Sequence, residues 1–149
     1  HGYKVAIVQF IKGTWECGEK NFLTESIFRG ANTKLEYFTM DTGFTWETQN
    51  AEKDREAAEK VWAQCEHVFS DPEIHLVLLD ELTYMLNYKY LDKEKVLNAI
   101  QNRPITQNVI ITGRGAKKYL EDVADTFSEI KAIKHAFNNG IKAQKGIEW

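Results

Sequence analysis

The chain has 149 residues, of which 43% are hydrophobic and 28% charged, an ordinary composition for a single globular domain with a sizeable core. Its net charge of -3 argues against broad electrostatic binding of nucleic acid, which depends on clustered Lys and Arg. The cysteines, Cys17 and Cys65, match no zinc spacing and favour a reducing, cytoplasmic compartment. We expect no membrane association, because no apolar run approaches the roughly 18 residues that cross a bilayer and no signal peptide is visible.

The first half of the chain alternates strand and helix patterns. Lys4 to Ile11 is almost wholly apolar and predicts a buried parallel strand, with Gln9 as its one polar interior residue. A loop from Lys12 to Trp15 follows. We predict further elements by the same reasoning: a helix from about Glu19 to Phe28, a strand from Leu35 to Met40, and a helix from about Asn50 to Phe69.

The second half continues the alternation. The predicted elements are a strand from His75, a short helix from Leu82 to Tyr88, a helix capped by Asp92 and ending near Pro104, a strand from Asn108 to Thr112, a helix from about Ala116 to Val123 and a strand around Phe127 to Ile130. More than three strand-to-helix alternations indicate an α/β fold, a mostly parallel sheet with flanking helices, formed by residues 1–149 as a single domain.

Asp80 and Glu81 close the strand that begins at His75. Ligands gather at the carboxyl ends of parallel strands, and two acids there need a positive partner, for which nucleotide-binding proteins often use Mg²⁺ near phosphates. The stretch is typical of a Walker B strand, so we predict both acids as metal ligands. In the alternative interpretation, Asp80 caps the next helix and Glu81 occupies its solvated first turn. The stretch alone leaves both interpretations open.

Two other loops follow apolar strands. Gly113-Arg114-Gly115 joins flexible backbone to a cation, which suits a phosphate or ribose, although an ordinary tight turn has the same pattern. Lys12 is placed to meet an anionic group, or is simply a solvated loop lysine. A Walker A loop would read Gly-x₄-Gly-Lys-Ser/Thr, and the nearest stretch has Glu19 where the lysine is required.

Phe44 and Trp46 stand among small residues in an unusual loop. Because they are two residues apart, an extended loop would project both to the same side, where they could form an apolar wall against a large flat ligand. Folding inward as part of the core is the alternative.

Five blocks of sequence resemble, in order, the ATP:corrinoid adenosyltransferases of bacterial cobalamin metabolism. The blocks are VQFIKGTW from Val8, TGFTWETQN from Thr42, VLLDELTYM from Val77, VIITGRG from Val109, and KHAF from Lys134 with GIKAQ from Gly140. They span essentially the whole chain. The collinear set, with the uncommon Thr-Gly-Phe-Thr-Trp, is far more specific than a Walker B run alone.

The resemblance implies a P-loop NTPase-like fold and transfer of the 5′-deoxyadenosyl group of ATP to Co(I) of a reduced corrinoid, with release of triphosphate. No side-chain nucleophile is expected, because the cobalt itself attacks the ribose 5′ carbon. Phe44 and Trp46 match aromatics that occupy the lower corrinoid face and displace its axial ligand. Asp80 and Glu81 match acids that serve the Mg²⁺ of Mg-ATP, and Gly113, Arg114 and Gly115, with Lys12, are predicted to contact the nucleotide.

The expected partners are ATP, the corrinoid, a reductase or flavodoxin-like electron donor, and a second copy in a homodimer. The family carries its Walker A loop on a strand and helix upstream of the position equivalent to His1, so we expect an N-terminally truncated domain that lacks that strand and helix. Two other functions stay open: a non-catalytic corrinoid-binding module without a working ATP site, and a generic P-loop phosphohydrolase.

Overall fold

The structure is a computed structural model that describes residues 1–11, 18–24, 34–40 and 50–147. Its strands are β1 (Lys4–Gln9), β2 (Leu35–Thr39), β3 (Ile74–Asp80) and β4 (Asn108–Ile111). Its helices are α1 (Gly18–Thr24), α2 (Ala51–Ser70), α3 (Leu82–Asn87), α4 (Lys93–Gln101) and α5 (Lys118–Glu121), and a 3₁₀ turn follows at Phe137–Asn139.

The four strands form one sheet in the order β2-β1-β3-β4, and every neighbouring pair is parallel. The predicted α/β class with a parallel sheet and flanking helices is therefore confirmed, and it is consistent with a P-loop NTPase-like fold. β3 lies inside the sheet between β1 and β4. All the strands point the same way, so the carboxyl ends of β1, β3 and β4 lie at one edge of the sheet.

The core lies on one face of this sheet. Ala6 pairs with Val77 and Val8 with Leu79, and all four side chains are fully buried. Helix α2 contacts β1, β2 and β3 and contributes a buried stripe made of Ala58, Val61, Trp62, Cys65, Val68 and Phe69. Apolar residues at helical spacing thus meet alternate residues of the strands, as the two periodicities require.

The helix starts follow from capping. The Asn50 side chain accepts a hydrogen bond from the Lys53 N–H at 3.1 Å, and Asp92, the predicted cap, accepts one from the Lys95 N–H at 2.8 Å. These bonds satisfy amide groups that a first helical turn leaves without partners.

The predicted strand from Phe127 to Ile130 is wrong. That segment has no regular secondary structure, and Ile130 is 97% exposed. A strand needs a neighbour for its backbone groups, and no described strand pairs with it. Phe127 and Ile130 also stand three residues apart, so a strand would place them on opposite faces. The helix predicted from about Ala116 to Val123 is present but shorter, because only α5 (Lys118–Glu121) is helical.

Several predicted features fall outside the described residues, namely Lys12, Phe44, Trp46 and the part of the first helix beyond Thr24. Within the described ranges, no helix combines the length and apolar character needed to cross a membrane.

Candidate functional site

The Asp80 carboxylate is held between two neighbouring strand ends. Its Oδ1 accepts a hydrogen bond from the Thr112 hydroxyl at 2.8 Å, and its Oδ2 accepts one from Gln9 Nε2 at 3.3 Å. Thr112 directly follows β4 and Gln9 ends β1, so the acid at the end of β3 is bonded from both sides. Asp80 does not cap the next helix, because Glu81 is the N-cap residue of α3.

Glu81 turns the chain sharply out of the sheet. Its backbone is left-handed, with φ 64° and ψ 22°, a conformation that is uncommon for residues other than glycine. Its N–H donates to Thr112 Oγ1 at 3.0 Å, while the same hydroxyl donates to Asp80. One threonine therefore fixes both the carboxylate of Asp80 and the strained turn that follows it.

These two acids stand apart from any larger cluster of metal ligands. Within the described ranges, no group of three or more His, Cys, Asp or Glu side chains is placed to hold an ion. Asp80 and Glu81 are both half-buried. A site built here would thus take few protein ligands and would leave room for water and phosphate oxygens, as Mg²⁺ sites commonly do.

The glycine loop after β4 is tied to α3. The Thr83 hydroxyl donates to the Arg114 carbonyl at 2.9 Å, and Asn87 Nδ2 donates to the carbonyls of Arg114 and Gly115, both at 3.2 Å. Gly113 has φ 136°, and a Cβ placed there would lie 2.0 Å from Thr83 Oγ1, so the close approach needs glycine.

The orientation of these carbonyls has a consequence for ligands. In a trans peptide the C=O and the following N–H point in opposite directions. The carbonyls of Arg114 and Gly115 face α3, so the N–H groups of Gly115 and Ala116 point away from it. Amide groups presented in this way can donate to an anion.

Asp80, Glu81 and the Gly113–Gly115 loop lie at one edge of the sheet, as the sequence predicts. The side chains that hold them were not predicted, namely Gln9, Thr112, Thr83 and Asn87. Gln9 left a signal, since it is a polar residue in an otherwise apolar strand and is only 3% exposed.

The whole chain matches one family. The family model described as ATP:corrinoid adenosyltransferase BtuR/CobO/CobP matches residues 1–149. The chain belongs to the ATP:corrinoid adenosyltransferase family. The resemblance carried by the five sequence blocks is thereby confirmed.

Curated corrinoid adenosyltransferases are similar along the full length of this family member. It is 48% identical over 149 residues to the Corrinoid adenosyltransferase of Escherichia coli strain K12, covering 100% of this chain and 72% of that protein. It is 49% identical to Corrinoid adenosyltransferase CobA of Salmonella typhimurium, with the same coverage. The Pseudomonas aeruginosa Corrinoid adenosyltransferase is 46% identical over 149 residues, which are 100% of this chain and 71% of that relative.

Proposed function

We propose that this chain transfers the 5′-deoxyadenosyl group of ATP to Co(I) of a corrinoid, giving an adenosylcorrinoid and triphosphate. The observation that carries the proposal is the family match over all 149 residues, together with relatives that are 46% to 49% identical and named corrinoid adenosyltransferases.

The reaction needs alignment more than reactive side chains. An electron pair of Co(I) forms the cobalt–carbon bond to the ribose 5′ carbon, while the bond from that carbon to the phosphate oxygen breaks and its electrons leave with triphosphate. The nucleophile belongs to one substrate and the leaving group to the other. The protein therefore has to hold both in line and stabilise the charge that develops on triphosphate.

Asp80 and Glu81 are our proposed ligands for the Mg²⁺ of Mg-ATP. The residues present fit this ion: Asp80 keeps lone pairs beyond its two hydrogen bonds, and the buried Gln9 Oε1 beside it has no hydrogen-bond donor among the described residues. A metal-bound water could supply that donor. The ion would neutralise phosphate charge, and Thr112 and Gln9 would hold the carboxylate in place for it.

The Gly113–Gly115 loop is our proposed nucleotide contact. Its support is the fixed orientation of the Gly115 and Ala116 amides and the exposed Arg114 side chain. Lys12 is proposed as a second contact, by its place after β1.

Phe44 and Trp46 are proposed to lie against the lower face of the corrinoid. Removal of the lower axial ligand lowers the cobalt orbital that accepts an electron, so reduction to Co(I) becomes easier. An electron donor such as a reductase or flavodoxin-like protein, a homodimeric assembly and a cytoplasmic location remain parts of this proposal.

The experiment is adenosyl transfer by the full protein under reducing conditions, followed by visible absorbance, with ATP and chemically prepared cob(I)alamin. We expect adenosylcobalamin and triphosphate in equal amounts. Phosphate release without cobalt–carbon bond formation would instead identify a phosphohydrolase. Corrinoid binding without measurable Mg-ATP binding would identify a non-catalytic module.

Site roles are tested in the same assay. Phe44→Ala or Trp46→Ala should lower the rate with cob(II)alamin and reductant much more than the rate with cob(I)alamin. Equal losses in the two assays would mean that these aromatics are only structural.

A further inference from the structure

A groove of about 550 Å³ adjoins the glycine loop at the same edge of the sheet. We call it the tyrosine groove, and the lining residues that matter here are Arg55, Asn87, Lys89, Tyr90, Lys117 and Tyr119. Asn87 also donates to the carbonyls of Arg114 and Gly115, so this side chain lines the groove and holds the proposed nucleotide loop. The groove therefore shares Asn87 with the candidate site.

The groove is cationic. Arg55, Lys89, Lys93 and Lys117 line it, against the acids Glu59 and Asp92. Asp92 is engaged as the helix cap, and Lys93 is paired with Glu94 at 2.9 Å. Within the described part of the chain, no salt bridge forms to Arg55, Lys89 or Lys117. Three exposed cations therefore line the groove without a salt bridge, and the acid Glu59 lines it as well.

Aromatic rings line the same groove. Tyr90 and Tyr119 are half-buried, and Lys93 Nζ lies 5.3 Å from the centroid of the Tyr119 ring. The Tyr90 hydroxyl donates to the buried Asp54 at 3.4 Å, and burial together with Asp54 raises the pKa of Tyr90. Its ring is therefore held in one place. Cations beside fixed rings suit a ligand that joins a phosphate to an aromatic base.

Two substrates of the proposed reaction offer that chemistry: ATP, and the nucleotide tail that a complete corrinoid carries below its ring. Resting on the proposed function, we infer that the tyrosine groove binds the nucleotide tail of the corrinoid. The position of Arg55 favours the tail. It lies five residues after Asn50, about 7.5 Å along α2, and Asn50 directly follows in sequence the segment 41–49 that carries Phe44 and Trp46.

The tyrosine groove would assist the displacement of the lower axial ligand that is proposed for Phe44 and Trp46. In a complete corrinoid the lower axial ligand is the base of its own tail. Once displaced, that base competes to return unless it is held elsewhere. A groove that binds its phosphate and stacks on its ring would lower that competition and raise the four-coordinate fraction.

The test compares cobalamin with cobinamide, which has the same ring but lacks the nucleotide tail. The test variant is the double substitution Arg55→Gln/Lys117→Gln, and both positions are exposed, so the fold is preserved. The control is Lys53→Gln, an exposed cation of α2 two residues from Arg55 and so about 200° around the helix. Dissociation constants for the cob(II) forms are measured by anaerobic absorbance titration with Mg-ATP present, alongside KM values.

We expect the double variant to bind cobalamin about tenfold more weakly, because it loses charged contacts to the phosphate. The dissociation constant for cobinamide and the KM for Mg-ATP should be unchanged. The four-coordinate cob(II) signal should fall for cobalamin only. Equal weakening for both corrinoids, no weakening for either, or a raised KM for Mg-ATP would each overturn the tail assignment. Selective binding without adenosyl transfer by the unchanged protein would overturn the proposed function and support the tail assignment.

Discussion

Thr112→Val should weaken both the fold and the proposed metal site, because one hydroxyl serves two partners there. It donates to Asp80 Oδ1 at 2.8 Å and accepts from the Glu81 N–H at 3.0 Å. Valine has nearly the same shape, so packing is kept while both hydrogen bonds are lost.

The expected magnitude follows from these two bonds. A hydrogen bond to a charged group contributes about 1.5 to 3 kcal/mol, and an ordinary one about 1 kcal/mol. Asp80 is half-buried, so water replaces part of the lost bond and the lower end applies. We expect a loss of about 2 kcal/mol in the free energy of unfolding, or a shift of about 1 M in the urea midpoint for a slope near 2 kcal/mol/M.

The matched control is Thr112→Ser, which keeps the hydroxyl and loses only a methyl group. We expect it to retain most of the stability and the apparent affinity for Mg²⁺, whereas the valine variant should need several-fold more Mg²⁺ for half-maximal transfer. Equal losses in the serine and valine variants would refute the reasoning, because the methyl group and not the hydroxyl would then be responsible.

Three further predictions test contacts that hold the loop after β4, the start of β3 and the start of β1 in place. Gly113→Ala should cost at least about 1 to 3 kcal/mol of stability by thermal unfolding, because its Cβ would collide with Thr83, whereas Gly140→Ala, also at positive φ but in open space, should cost less. Gln107→Met should lose about 2 kcal/mol, because buried Nε2 donates to the carbonyls of Val68 at 3.1 Å and Ile74 at 3.2 Å; exposed Gln101→Met is the control, and equal losses would contradict this. The hydrogen bond from Lys4 holds the pKa of Asp71 below its ordinary value, so the unfolded chain takes up this proton at a higher pH than the folded chain. The stability that this bond contributes is present above the unfolded pKa and is lost as pH falls through the folded pKa. The difference in unfolding free energy between the unchanged protein and Asp71→Asn should therefore shrink below about pH 4 in urea titrations, and a constant difference would refute it.

The sequence predicted the parts of the fold that depend on local pattern. The apolar run before Asp80 forms a buried inner strand, and Asp92 caps a helix. Both features could be predicted because they depend on residues that are close together in the sequence. The contact between Gln9 and Asp80 joins residues 71 positions apart, and it depends on the register between β1 and β3. The pattern of residues in one sequence does not specify how two strands are aligned with each other.

The error at Phe127 to Ile130 has the same physical origin. A run of residues with high strand propensity favours an extended backbone, but a strand forms only when a neighbouring strand pairs with its backbone N–H and C=O groups. The described sheet ends at β4, and Ile130 lies almost fully exposed. The roles of Phe44 and Trp46 stay predictions, because both lie outside the described residues.

In the proposed reaction the substrates supply both the nucleophile and the leaving group, so the arrangement around Asp80 would contribute to group transfer through position. When cobalt and the ribose carbon supply the reacting atoms, the protein contributes through the precision with which it holds charges around them. Asp80 is bonded from two adjacent strands, and the loop from Gly113 to Gly115 is bonded from α3. Thr112 and Asn87 should therefore act on the rate through position alone. Their conservative variants should restore activity wherever the hydrogen bond is restored, which a residue that reacts chemically with the substrates would not allow.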